Sequence, residues 1–169
     1  MASLQKITAC LWFDDQAEEA ARFYTGIFPS SRIVAISHYG EAGKEVHGKA
    51  AGSVLTVAFE LEGCALTALN GGPVFQFNEA ISLQVSCETQ DEVDYYWEKL
   101  AEGGDSAAQQ CGWLKDRYGL SWQVVPTILP QLMADPDAEK SGRVMEALLQ
   151  MKKLDIEALK RAYDGKAAE

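Results

Sequence analysis

Residues 111–126, CGWLKDRYGLSWQVVP, decide the fold. Two runs that alternate large and small side chains, Gly112-Trp113-Leu114 and Ser121-Trp122-Gln123-Val124-Val125, flank Arg117-Tyr118-Gly119. A glycine between two such runs signals a hairpin, because glycine enters the left-handed region of a turn without steric cost. Side chains alternate along a strand, so Ser121, Gln123 and Val125 share one face while Trp122 and Val124 share the other. Gln123 is thus a polar residue at an inward strand position, and the first candidate for a functional side chain.

The same grammar extends towards the N-terminus. Residues 5–13 alternate as a strand, and Asp15 with Glu18 predicts a capping box ahead of the helical stripe Ala20, Phe23, Tyr24 and Ile27. Pro29-Ser30 ends that helix, and residues 31–39, 53–62 and 64–69 read as three further strands. Residues 40–52, with four glycines and charges of both signs, read as a mobile loop. After Asn70-Gly71-Gly72-Pro73 the pattern restarts, with Ile81, Leu83, Val85 and Cys87 alternating against Ser82, Gln84 and Ser86. Thr89 and Glu92 form a capping box, the stripe Val93, Tyr96, Trp97 and Leu100 repeats the first helix, and Gly103-Gly104 ends it. Strands at 107–110, 112–115 and 121–125 complete the copy, so internal duplication is the simplest account. Beyond Pro126 the chain reads as helical: residues 129–134, then the stripe Val144, Ala147, Leu148 and Met151, then Asp155 capping Ile156, Leu159 and Tyr163. Met133, Met145 and Met151 are expected in core or dimer contacts.

The expected fold class is therefore α+β: two tandem βαβββ modules, residues 1–70 and 71–127, with a C-terminal helical extension over 128–169, in one compact structural unit. A net charge of −10 gives a field that repels phosphate backbones and anionic lipid, so neither nucleic acid nor membrane is an expected partner. The N-terminal apolar run is too short for a signal peptide and no run approaches the length of a membrane span, which predicts a cytoplasmic protein. Cys10, Cys64, Cys87 and Cys111 show no CxxC spacing and no neighbouring histidine, and read as reduced, mostly buried thiols. With His38 and His47 as the only histidines, a three-histidine metal site is impossible.

The motifs ITACLWF, FYTGIFPSS, LNGGP, EVDYYWEKL, CGWLKD and GLSWQVVP together resemble the PhnB-like subgroup labelled 3-demethylubiquinone-9 3-methyltransferase. More broadly, the two βαβββ modules, the Phe23-Tyr24 pair and residues 116–123 together resemble the vicinal oxygen chelate superfamily of glyoxalase I, extradiol dioxygenases and bleomycin-resistance proteins, and the resemblance covers residues 5 to about 164. It implies two glyoxalase-like curled sheets, and a metal held by side chains on the first and last strands of each module. Those positions fall on Thr8, Thr67, Ser82 and Gln123. One amide and three hydroxyls do not hold a divalent cation tightly, so no metal and no cofactor are expected. Methyl transfer from S-adenosylmethionine usually needs a glycine-rich turn between strand and helix. Here the first strand runs into Asp14-Asp15-Gln16, and Asn70-Gly71-Gly72-Pro73 leads to a strand.

The faces opposite the helix-packing stripes carry Thr8, Cys10, Trp12, Thr67, Leu69, Ser82, Gln84, Trp113 and Gln123, mostly apolar with a few polar groups, as a ligand pocket is. No residue stands out as catalytic. Cys10 would need a neighbouring cation or helix N-terminus to act as a nucleophile, and the sequence supplies neither. The expected function is a small-molecule-binding protein or enzyme with a metal-depleted pocket for an aromatic or quinone-like ligand. The alternatives are a metal-dependent glyoxalase- or dioxygenase-like enzyme, the ubiquinone-type methyltransferase of the label, and a dimeric sequestering protein of the resistance type. A homodimer is expected from the resemblance and from the apolar stripes over 138–163.

Overall fold

The structure is a computed structural model that describes residues 5–166. Residues 1–4 and 167–169, the outer ends of the segments expected at 1–70 and 128–169, lie outside the described residues. The fold is α+β, and its contacts divide the chain after Phe77 into two compact units. No described helix is long and apolar enough to cross a membrane.

The first unit contains β1 (Ala9–Phe13), α1 (Ala17–Ile27), β2 (Arg32–His38), the short helix α2 (Lys44–His47), β3 (Val54–Leu61) and β4 (Cys64–Asn70). Its sheet has the order β1-β4-β3-β2, with β1 parallel to β4 and the other pairs antiparallel. Alternation sends Leu11, Phe13, Val57, Phe59, Leu66 and Ala68 to one face, where they are buried together with Ala17, Ala20, Ala21, Tyr24 and Ile27 of α1. The capping box expected from Asp15 and Glu18 does not form. Gln16 is the N-cap and makes no side-chain cap bond. Instead the Ala17 N–H donates to Asn70 Oδ1 at 2.8 Å, while Asn70 Nδ2 donates to the Val54 carbonyl at 3.1 Å. The buried amide at the end of β4 thus supplies the acceptor that the local sequence was expected to supply. The glycine-rich segment read as a mobile loop carries its own structure. Tyr39 and Ser53 close it (N to O, 2.8 Å), α2 forms within it, and the His47 ring packs on Tyr39 at 4.5 Å.

The second unit contains β5 (Leu83–Cys87), α3 (Gln90–Ala101), β6 (Trp113–Lys115), β7 (Ser121–Pro126), α4 (Leu129–Met133), α5 (Ala138–Leu149) and α6 (Ile156–Tyr163). Its sheet has the order β5-β7-β6, with β5 parallel and β6 antiparallel to β7. Val85, Cys87, Leu114, Trp122 and Val124 are buried on the face that meets Val93 and Leu100 of α3. The capping box of Thr89 and Glu92 forms as expected. The strand expected at 107–110 is instead a 3-10 turn, Ser106–Ala108, followed by a single bridge pair between Gln110 and Trp113. Three contacts explain the change. Asp105 accepts from the Ala107 N–H and starts the turn, and the Cys111 and Gly112 N–H groups donate to the Met151 and Lys152 carbonyls at 2.8 and 2.7 Å instead of to a strand. The C-terminal helices form a second core of Val125, Leu129, Leu132, Val144, Leu154 and Leu159, flanked by Met133 and Met151, whereas Met145 is exposed. Asp155 caps α6 through the Ala158 N–H.

The hairpin read from the sequence is present between β6 and β7. Gly119 takes a φ of +82°, and the Asp116 carboxylate, 2% exposed, organises the turn. Its Oδ1 accepts from the Tyr118 and Leu120 N–H groups at 2.8 and 3.0 Å, and its Oδ2 accepts from Trp122 Nε1 at 2.9 Å. In Asp116→Asn an amide NH2 replaces one acceptor and leaves a buried donor facing a donor, so stability should fall by about 2 kcal/mol in urea unfolding. Gly119→Val meets open space around the new Cβ, so its cost is backbone strain alone, about 1–2 kcal/mol. An unchanged midpoint for either variant contradicts this account of the turn.

Candidate functional site

In the first unit the face opposite α1 is set by register. Cys10, Thr67, Ala58 and Ala35 form one row across β1, β4, β3 and β2, and Trp12, Leu69, Thr56 and Ser37 form the next. Five of the expected residues belong here, although Thr8 precedes β1 and is exposed. Trp12 is fixed in place: its Nε1 donates to the Gly72 carbonyl at 2.8 Å, and its ring meets the edge of Phe75 at 4.9 Å. A Cβ at Gly71 would lie 2.1 Å from the indole, so only glycine lets the backbone pass so close. Cys10 is an exposed residue whose partly shielded thiol is pushed above the usual range by desolvation, which favours the neutral form. Ser37 and Thr56 were not among the expected residues, yet their hydroxyls meet at 2.6 Å on this face. The alternation of β3 was the signal that could have found Thr56.

In the second unit Gln84, Gln123 and Trp113 share a row, and Ser121 lies opposite Lys115. Gln123 Nε2 donates to Ser82 Oγ at 2.8 Å, tying the residue just before β5 to the middle of β7. A cleft of about 420 Å³ opens beside this row, lined by Trp113, Lys115, Ser121, Cys111, Gln110 and Glu79 among others. Lys115 pairs with Glu79 and, chiefly through the hydrogen bond between them, holds the Glu79 carboxyl below its ordinary value. Ser121 is 1% exposed, and its Oγ has no hydrogen-bond partner among the described residues. Sequence reasoning had Ser121 on the correct face but gave it no role, and it missed the Lys115–Glu79 pair, whose members are distant in sequence.

The four positions implied for a superfamily metal are two hydroxyls in the first unit, Thr8 and Thr67, and Ser82 with Gln123 in the second. Gln123 directs its amide NH2 to Ser82, a donor where a cation needs acceptors. Among the described residues no three His, Cys, Asp or Glu side chains gather into a possible metal site. His38 ends β2 exposed, and His47 is engaged with Tyr39 and accepts from the Lys49 N–H at Nδ1. These residues do not fit a divalent metal.

The family described as 3-demethylubiquinone-9 3-methyltransferase matches residues 5–125 of the chain. Among solved structures, the PhnB protein of Bacillus cereus, which bears the same methyltransferase designation, is 38% identical. It aligns with a TM-score of 0.63 over 73% of this chain and 100% of its own. Protein PA1353 of Pseudomonas aeruginosa (21% identity, TM-score 0.55, 73% of this chain and 98% of its own) shares the fold. So does the fosfomycin resistance protein FosX of Mesorhizobium loti (14% identity, TM-score 0.53, 79% of this chain and 100% of its own). No curated protein sequence matches the chain. Family match, identity and fold agree, and the chain belongs to the PhnB-like, 3-demethylubiquinone-9 3-methyltransferase family.

Proposed function

We propose that this protein binds small molecules without a metal, on the open face of each of its two sheets. The lining is Thr8, Cys10, Trp12, Thr67 and Leu69 in the first unit and Ser82, Gln84, Trp113 and Gln123 in the second. The observation that carries the reading is the Gln123–Ser82 hydrogen bond: two of the four implied metal positions are spent on each other, through an amide donor. Methyl transfer finds little support. The Ala17 N–H at the start of α1 is taken by Asn70 Oδ1, and no glycine-rich turn precedes that helix to receive a nucleotide-like cofactor. The same proposal includes a homodimer, favoured by exposed apolar side chains such as Ile7, Val74 and Phe75, and a cytoplasmic location, in keeping with four free cysteines.

Elemental analysis after gentle purification should find no stoichiometric zinc, nickel, manganese or iron, and added metal should leave the melting temperature unchanged. A ligand that binds only the native state raises that temperature by mass action, so a rise with one metal, abolished in Gln123→Ala, would overturn the reading. Light scattering at micromolar concentration should give the mass of a dimer, and a clean monomer mass would remove that part of the proposal.

Thiol titration tests the inert reading of the cysteines. Burial, with Glu92 nearby, pushes the Cys87 thiol up to about 12, so in the native protein at pH 8 it should stay unreactive until the chain unfolds. Cys64 is exposed and should react first, and Cys10 more slowly because its thiolate is disfavoured. Fast alkylation of Cys10 ahead of Cys64 would reinstate it as a nucleophile.

A further inference from the structure

The cleft on the second sheet combines properties that select a class of ligand. Its volume of about 420 Å³ falls in the range of small-molecule sites, and Trp113 and Ala108 give its wall an apolar character. The cation among its lining residues, Lys115, is already neutralised by Glu79. An anionic ligand therefore finds no free charge there, and the overall charge of −10 opposes its approach. The same wall holds Ser121, 1% exposed, whose Oγ has no partner among the described residues. A buried hydroxyl left unpaired is a standing cost, and a ligand atom that bonds to it removes that cost.

We infer that this cleft is a subsite for a neutral, planar aromatic molecule bearing a phenolic hydroxyl or a carbonyl oxygen. The ring lies against Trp113 and the oxygen bonds to Ser121 Oγ. The inference rests on the metal-independent reading above and adds to it the ligand class. An indole face supplies rigid apolar area at low entropic cost, and the hydroxyl can donate to a carbonyl or accept from a phenol, so one site serves both.

Fluorine NMR on the full chain, with 4-fluorophenol, fluorobenzene and 4-fluorobenzoate as probes, tests it. The phenol should bind about fivefold more tightly than fluorobenzene, the worth of one hydrogen bond, and the benzoate most weakly. Ser121→Ala should reduce the phenol to the affinity of fluorobenzene and leave fluorobenzene unchanged. The same substitution deletes an unsatisfied group, so its unfolding midpoint should be equal or higher, which separates lost binding from lost fold. Trp113→Ala should weaken both neutral probes. Should that variant not fold, protection of Cys111 from iodoacetamide by 4-fluorophenol in the unaltered protein reads out the same occupancy, since Cys111 lines the cleft. Equal phenol binding by Ser121→Ala, a preference for the benzoate, or no binding of any probe overturns the inference. The metal analysis stands apart from all three outcomes, so the metal-independent reading survives or fails on its own measurement.

Discussion

The second unit depends on one buried carboxylate. The Tyr118 and Leu120 N–H groups of the turn it precedes, and the Trp122 indole N–H, donate to the Asp116 side chain. Hydrogen bonds to an ionised acceptor are roughly twice as strong as neutral ones, and a buried charge is tolerated only when its lone pairs are satisfied. The consequence reaches beyond the turn. Anchoring the Trp122 indole on the helix side of β7 fixes the pleat of that strand, and alternation then sends Ser121 and Gln123 to the other side. The polar character of the open face is thus set by an interaction on the buried one.

Side-chain amides do comparable work elsewhere. Asn70 joins the end of β4 to the start of α1 and to the Val54 carbonyl. Gln90, in the first turn of α3, accepts from the Ile156 N–H at 2.9 Å and donates to the Leu154 carbonyl at 3.1 Å, so it holds the entry to α6. Each amide supplies a donor and an acceptor at once, and can satisfy two orphan backbone groups that no neighbouring residue reaches. Trp12 uses its single donor in the same way, on the Gly72 carbonyl.

What the sequence revealed follows from the range of the interactions. Strand alternation, the Thr89–Glu92 box, the Asp155 cap and the positive φ of Gly119 are local, and all are present. The start of α1 was misread because its acceptor, Asn70, lies 53 residues away, and no nearby pattern encodes that. The strand expected at 107–110 failed in part for the same reason: Asp105 starts a local turn there, and the groups that claim the backbone at 111–112 are in the C-terminal segment. For the site, alternation assigned Gln123, Trp113, Thr67 and Leu69 to open faces. It could not show that Gln123 would meet Ser82, or that Lys115 and Glu79 would cancel each other's charge beside an unpaired hydroxyl.

The bonds from Cys111 and Gly112 to the Met151 and Lys152 carbonyls also bear on association. β6 is the outer strand of its sheet, only three residues long, and an outer strand with free N–H groups is a template on which other chains can add. Here the N-terminal approach to that strand is closed: Gln110 folds back onto Trp113, and the segment after α5 takes the next two donors. The added helices are therefore a guard on an open sheet margin as well as a second core. A chain ending before Met151 would lose that guard along with the packing, and would be prone to pair through β6 into aggregates.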